Sequence, residues 1–273
     1  MQTGYYSSAA GMVTQFNRLD TIANNLANVN TLGFKEENII VGDFTRMFQE
    51  ARDELPNANQ TKEAAKFLNR ALTKVPQIVD AFTDFSVGSF SKTSNKLDFA
   101  LGREGLFFAV MTPQGIRLTR DGAFSLDAEG RLVNKQGYQV LSQEYTKSTS
   151  GIVLNDDETI VKADKNGQLY TNVPGTSNMI PKSSLLVVQP KDIRDLQKVG
   201  DNLFALKDAK QFNPIEESGA VMQGFVEKSN VNAVKMMTQL IETNRLIGMY
   251  QKAMDTQMNE MNKDAIEKLA RKA

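Results

Sequence analysis

Apolar residues recur with helical spacing at both ends of the chain and with strand spacing between them. Near the start, Tyr5, Ala9, Met12, Phe16, Leu19, Ala23, Leu26 and Asn30 step alternately by four and three residues. That spacing lines them along one seam of an α-helix, the a/d pattern of a coiled coil. Leu32-Gly33-Phe34 closes the pattern, because Gly33 can take the left-handed backbone conformation that ends a helix. A helix is therefore predicted over residues 1–31. Toward the other end, Met237, Leu240, Asn244, Ile247, Gln251, Met254, Met258, Met261 and Ala265 repeat the spacing. Asn232 is placed to cap this second helix, and Lys268, Arg271 and Lys272 suit the negative end of its dipole.

Each stripe carries polar residues that a merely greasy helix would not. Asn24, Asn25, Asn28 and Asn30 lie in or just after the first helix. Asparagine disfavours helix interiors because its amide competes for backbone hydrogen bonds, so these amides are expected to serve a neighbour. Asn244 and Gln251 at a-type positions lower stability but fix register. Met236, Met237, Met249, Met254, Met258 and Met261 supply flexible thioethers, which suit both gap-filling and adaptable binding surfaces. Val13, Ile22 and Val29 beside the first seam, and Met236, Ile241 and Tyr250 beside the second, exceed what one partner helix can cover. Burying each Leu- or Met-sized group is worth about 1.5–3 kcal/mol. The ends of a free monomer are accordingly expected to fray and to order when subunits stack.

Between the helices the period changes. After Gly33 a polar connection is expected, then helical patterns opening at Asp43 and at Thr61, broken by Pro56-Asn57 and Pro76. An extended or irregular linker is the alternative for this stretch. From about Val79 short strands follow, at Leu97–Leu101, Leu106–Met111, Ile116–Thr119, Ala123–Leu126, Arg131–Val133, Tyr138–Leu141, Thr159–Ala163, Gln168–Thr171, Ser184–Gln189 and Asn202–Leu206. Glycine-bearing turns such as Pro113-Gln114-Gly115 and Asp164-Lys165-Asn166-Gly167 join them. Many short strands with such turns indicate an antiparallel sandwich or barrel, not a βαβ fold.

Composition narrows the chemistry. Lys+Arg and Asp+Glu are both 32, which argues against a nucleic-acid partner. Cys, His and Trp are absent. The usual zinc, copper, haem and iron–sulfur ligand sets cannot be built, and histidine- or cysteine-based catalysis is excluded. No cofactor is expected. Asp156-Asp157-Glu158 is the one dense acidic group, and it reads as a solvated turn better than as the carboxylate pair, about 5 Å apart, of a retaining glycosidase. Arg120-Asp121 reads as turn chemistry before Gly122. No run is long and apolar enough for a membrane span, and no signal peptide is visible, so residue logic alone predicts a soluble protein that stays inside the cell.

Four stretches carry a resemblance. Ala23–Lys35, ANNLAN-x-NT-x-GFK, resembles the N-terminal signature of flagellar basal-body rod and hook proteins. Thr93–Leu101 and Thr119–Phe124 look like that family's TxxPLDxA and YTRxGxF boxes, with Lys96 where proline is usual and Gly105-Leu106-Phe107-Phe108 where Gly-Phe-Phe is usual. Ser229–Asp255, SNVNAVKMMTQLIETNRLIGMYQKAMD, is similar to its C-terminal box and places Arg245 at the family's arginine. The length, the Asp84-Phe85-Ser86-x-Gly88 run and the Met-Thr-x-Leu-Ile wording of the last helix are most like a proximal rod protein, with a distal rod or hook-type paralogue next.

The resemblance implies an α+β fold. Residues 1–31 and 230–273 would pair as an antiparallel coiled-coil-like inner assembly domain. Residues 32–78 would be a linker, and 79–229 a β-rich outer domain. It implies an axial structural subunit that transmits torque, not an enzyme, with other rod proteins and copies of itself as partners. It also implies passage through the flagellar type III export apparatus to the periplasm without cleavage. The assembly residues nominated on this basis are Met12, Phe16, Leu19, Ala23, Asn24, Asn25, Leu26, Asn28, Gly33 and Phe34 at one end. At the other they are Val234, Met237, Leu240, Ile241, Asn244, Arg245, Ile247, Gln251, Met254 and Met258. The reading of another class, a β-domain glycan-acting enzyme or binding module, fits the strand pattern but not these boxes.

Overall fold

The computed structural model describes residues 2–43, 76–146, 151–154, 159–172, 179–206, 212–215 and 219–270. The chain forms two compact units, one of Met1–Ala27, Glu37–Thr83 and Asn232–Ala273, the other of Asn28–Glu36 and Asp84–Val231. The fold is α+β, with a β-rich unit inserted between two terminal helices that pack together.

In the first unit, α1 (Gln2–Ala27) and α2 (Ala233–Ala270) run antiparallel. Gly4 lies against Gln257, Gly11 against Tyr250, and Ile22 shares a cavity with Gln239. Asn232 caps α2 as expected, its Oδ1 accepting from the Lys235 amide at 3.1 Å. The first helix stops at Ala27, earlier than its apolar period suggests. There the Thr31 amide bonds the Asn28 carbonyl and the Thr31 hydroxyl bonds Asn28 Oδ1, so a turn replaces the next helical rung.

Also in this unit, β1 (Glu37–Asp43) pairs antiparallel with β2 (Pro76–Thr83), with a bulge between Ile40 and Val41. The polar connection expected after Gly33 is thus a strand, and its β-branched Ile39-Ile40-Val41 core gives the local reason. The linker helices predicted from Asp43 and from Thr61 lie outside the described residues, apart from Asp43 itself, which ends β1.

The second unit is a succession of antiparallel strands: β3 (Phe90–Lys92), β4 (Phe99–Leu101), β5 (Phe107–Thr112), β6 (Gly115–Thr119), β7 (Ser125–Leu126), β8 (Leu132–Val133), β9 (Gln139–Val140), β10 (Thr159–Ala163), β11 (Gln168–Asn172), β12 (Met179–Ser184), β13 (Val187–Pro190), β14 (Leu196–Lys198), β15 (Leu203–Leu206), β16 (Phe212–Pro214), β17 (Val221–Gln223) and β18 (Phe225–Glu227). A nine-stranded sheet runs β14-β15-β6-β5-β9-β8-β7, with β13 joined to β5 and β16 to β13. Smaller sheets are β10-β11-β12, β17-β4 and β18-β3. Successive side chains of β5 point to opposite faces, as a strand requires. Phe108 and Val110 enter a core with Phe99, Phe124 and Leu185; Phe107 and Ala109 enter another with Phe85, Leu118 and Phe204. The Phe85 ring stands edge-on to Phe107 at 5.6 Å between centroids.

Candidate functional site

The two helices meet at glycines, and only part of their apolar surface is buried. A β-carbon on Gly4 would stand 2.8 Å from Gln257 Nε2, and one on Gly11 would stand 2.6 Å from Cε1 of Tyr250. Gly11, Gln15, Ile22 and Asn25 are buried on α1, as are Met236, Thr243 and Ile247 on α2. These α1 positions keep the heptad spacing but precede the expected seam by one residue each. One residue is about 100° of helix rotation. Gly4 and Gly11 let the backbones approach closely, while Ile22, Met236 and Ile247 are buried and many other large apolar groups are turned away.

The nominated residues accordingly divide. On α1, Met12, Leu19 and Leu26 are half-buried, while Phe16, Ala23 and Asn24 are exposed. On α2, Ile247 is buried and Leu240 and Met254 are half-buried. Val234, Met237, Ile241, Asn244, Arg245, Gln251 and Met258 are exposed. Val234 keeps 74%, Ile241 61% and Met237 53% of its surface in solvent, and Tyr6 and Val13 of α1 keep 69% and 56%. Monomers rarely leave so many large apolar groups in water on one pair of elements, and such surfaces mark contact sites. Ile40, Val41, Ile78, Val79 and Phe82 of the β1–β2 pair are exposed as well.

Asn25 has a separate task. Its Nδ2 donates to the Glu37 carbonyl at 2.7 Å and its Oδ1 accepts the Glu37 amide at 2.9 Å. The side-chain amide thus extends the β1 ladder by one rung from inside a helix, which explains one of the four asparagines. Arg18, Ile22, Asn25, Glu37 and Gln239 line a cavity of about 220 Å³ beside it.

In the second unit Asn28 is half-buried and Gly33 and Phe34 are buried. Gly33 has φ +67°, and a β-carbon there would stand 2.4 Å from the Asp121 amide nitrogen. Its own amide donates to the Glu227 carbonyl at 2.8 Å. Lys198 Nζ sits 3.8 Å above the Phe34 ring, a cation–π contact. These two residues hold the chain inside this unit and do not face solvent.

Beside them lies an ionic cluster that sequence reading missed. Glu227 Oε1 accepts from Lys35 Nζ at 2.6 Å and from the Gly88 amide at 2.9 Å; its Oε2 accepts from Arg120 Nε at 2.8 Å. Arg120 also donates to the carbonyls of Leu101, Arg103 and Leu106, and Lys35 to that of Ser86. All three side chains are essentially shut off from water. Burial pushes the Lys35 ammonium below its usual range, with Glu227 opposing the shift. Arg120 is likewise held down by burial and raised by Glu227. Two cations share one carboxylate, and Arg120 spends its remaining donors on backbone carbonyls; this is a clasp, not a nucleophile with its base.

Asp121 behaves as the turn reading expects, its Oδ1 accepting from the Ala123 amide at 3.0 Å. Burial raises its carboxyl pKa above 3.8. Asp156-Asp157-Glu158 lies outside the described residues. Among the described residues no helix is long and apolar enough to cross a membrane.

Comparison with known proteins covers both helices and the β-rich unit. Residues 6–35 match the family described as flagella basal body rod protein, 104–171 the flagellar hook protein FlgE/F/G D1 domain, and 222–267 the flagellar basal body rod FlgEFG protein C-terminal region. The chain is 31% identical over 247 residues to the flagellar basal-body rod protein FlgF of Rhizobium meliloti, covering 90% of this chain and 89% of that one. It is 30% identical over 258 residues to the FlgG rod protein of Agrobacterium fabrum, covering 91% and 93%. To the FlgF rod protein of Caulobacter vibrioides it is 29% identical over 271 residues, 99% of each chain.

Proposed function

The chain belongs to the flagellar basal-body rod protein family, and from that premise we infer that it is a structural axial subunit of the bacterial basal-body rod. The observation that carries the finer reading is the apolar surface left outside the helix pair. The two helices approach each other closely at Gly4, against Gln257, and at Gly11, against Tyr250. Tyr6, Val13, Phe16, Val234, Met237 and Ile241 are left outward for neighbouring rod proteins or further copies. Burial of such groups is the driving force for stacking.

The test is incorporation into isolated basal bodies. Phe16→Asp and Ile241→Asp leave the intramolecular seam intact and should keep the circular dichroism of the parent, yet abolish incorporation and swimming. Deletion of residues 1–30, which removes α1 altogether, should also abolish incorporation. Normal incorporation of either aspartate variant would end this reading.

Within the rod, a proximal position is part of the proposal. It is supported by the chain's moderate length and by the Asp84-Phe85-Ser86-x-Gly88 run, although the relatives are named FlgF and FlgG at similar identity. A proximal subunit stays in basal bodies of a strain lacking the distal paralogue, whereas a distal one is lost. Passage through the export apparatus without cleavage completes the proposal. An intact mass, Met1 or Gln2 onward, from purified basal bodies is the expected result.

A further inference from the structure

We propose that the outward methionines of α2 are a redox modification site, at which peroxide converts Met237, Met249 and Met258 to sulfoxides and keeps the subunit from being built in. This rests on the assembly reading above. The sulfur chemistry of this chain falls entirely on thioethers, because it has twelve methionines and no cysteine. Met237, Met249 and Met258 are 53%, 57% and 47% exposed, whereas Met236 next door is 1% exposed. The helix thus pairs open and shielded thioethers on one element.

The step balances with hydrogen peroxide as the oxidant. A sulfur lone pair attacks one peroxide oxygen, the O–O bond breaks, and an S–O bond forms. After proton transfer the other oxygen leaves as water, so sulfur loses two electrons and peroxide gains them. The product is a polar, chiral group where a flexible apolar one stood, and methionine sulfoxide reductases reverse it. Sulfoxide oxygen needs a hydrogen-bond donor when buried. Val234 and Ile241, the exposed apolar neighbours, offer none. Covering by other subunits hides the same sulfurs, so the modification acts on the free subunit and not on the finished rod.

Two arms test it. In the first, the full-length chain is treated with hydrogen peroxide and each methionine is followed by peptide mass spectrometry. Met237, Met249 and Met258 should oxidise together, with Met179 (52% exposed on β12) as a reactive comparison. Met236 should lag by about tenfold or more, since its reaction waits on local opening. In the second, variants replace the native copy in cells. The triple Met237→Gln, Met249→Gln, Met258→Gln variant, polar like the sulfoxide, should lower incorporation by about tenfold. The corresponding triple Leu variant should incorporate normally and continue under a peroxide dose that cuts wild-type incorporation, and Met179→Gln should change nothing. Equal oxidation of Met236, full incorporation of the Gln triple, or loss of the Leu triple overturns the proposal. If Ile241→Asp still blocks incorporation in those cases, only the oxidation site is wrong; if it does not, the assembly reading falls with it.

Discussion

Gly11 meets the ring of Tyr250 so closely that a β-carbon would stand 2.6 Å from Cε1 and 2.7 Å from Cζ. The approach of the two terminal helices is set there by a missing methyl group. A packing seam built on such an absence is sensitive to added volume.

Gly11→Leu should therefore open the seam, at a cost of about 1–3 kcal/mol for overpacking. The expected readout is loss of helical signal on a melt monitored by circular dichroism at 222 nm (a wavelength of about 220 nm reports backbone helicity). Gly248→Ala is the contrasting change, because nothing lies within 4 Å of its β-carbon position and the helix continues through it. It should stabilise α2 by about 0.5–1 kcal/mol.

Asn25→Ala removes the side-chain rung from β1 and leaves the Glu37 amide and carbonyl without it. The cost should be about 1–3 kcal/mol, the worth of two hydrogen bonds to a half-buried strand residue. Hydrogen exchange locates it: protection at the Glu37 amide should fall while that of β5 and β6 is kept. Unchanged exchange at Glu37 would mean the clamp is not formed in solution.

Glu227→Gln strands Lys35 and Arg120 as two buried cations without their shared carboxylate. Breaking a buried ionic set from one side costs about 3–5 kcal/mol, and urea unfolding should show a loss of that order. Lys35→Met leaves the Arg120–Glu227 pair whole and should cost clearly less. Equal losses would mean that the carboxylate is not the hub.

Asp121 gives the pH dependence a sign. Burial raises its folded pKa above the ordinary 3.8, with the Ala123 amide and Lys135 opposing. Between 3.8 and the raised value the folded state holds the proton and the unfolded state has lost it. Stability contributed by this group is thus present at the acid side and declines as pH rises through that window. Asp121→Asn keeps the acceptor for the Ala123 amide and cannot titrate, so the slope of melting temperature against pH should flatten there. A slope as steep as the parent's would assign the effect to other carboxylates.

Local rules were enough for much of the fold. The Asp164–Gly167 turn joins β10 to β11 as its residues require, with Asp164 Oδ1 accepting from the Asn166 and Gln168 amides. The Pro113-Gln114-Gly115 turn joins β5 to β6, and Asn232 starts α2 where a cap was expected. Each of these depends on residues within about five positions, so the sequence states it directly.

By itself, then, the sequence determined two terminal helices, the short antiparallel strands between them, and an apolar surplus on each helix. Which face of α1 meets α2 was decided only in three dimensions. A helical period fits Tyr5, Ala9, Met12 and Phe16 and fits Gly4 and Gly11 equally well, and close backbone approach selects the two glycines. The same holds for Lys35 and Glu227, 192 residues apart, which become partners because folding encloses both in one water-free space. Neither charge has a local signature; only the shared burial makes each need the other.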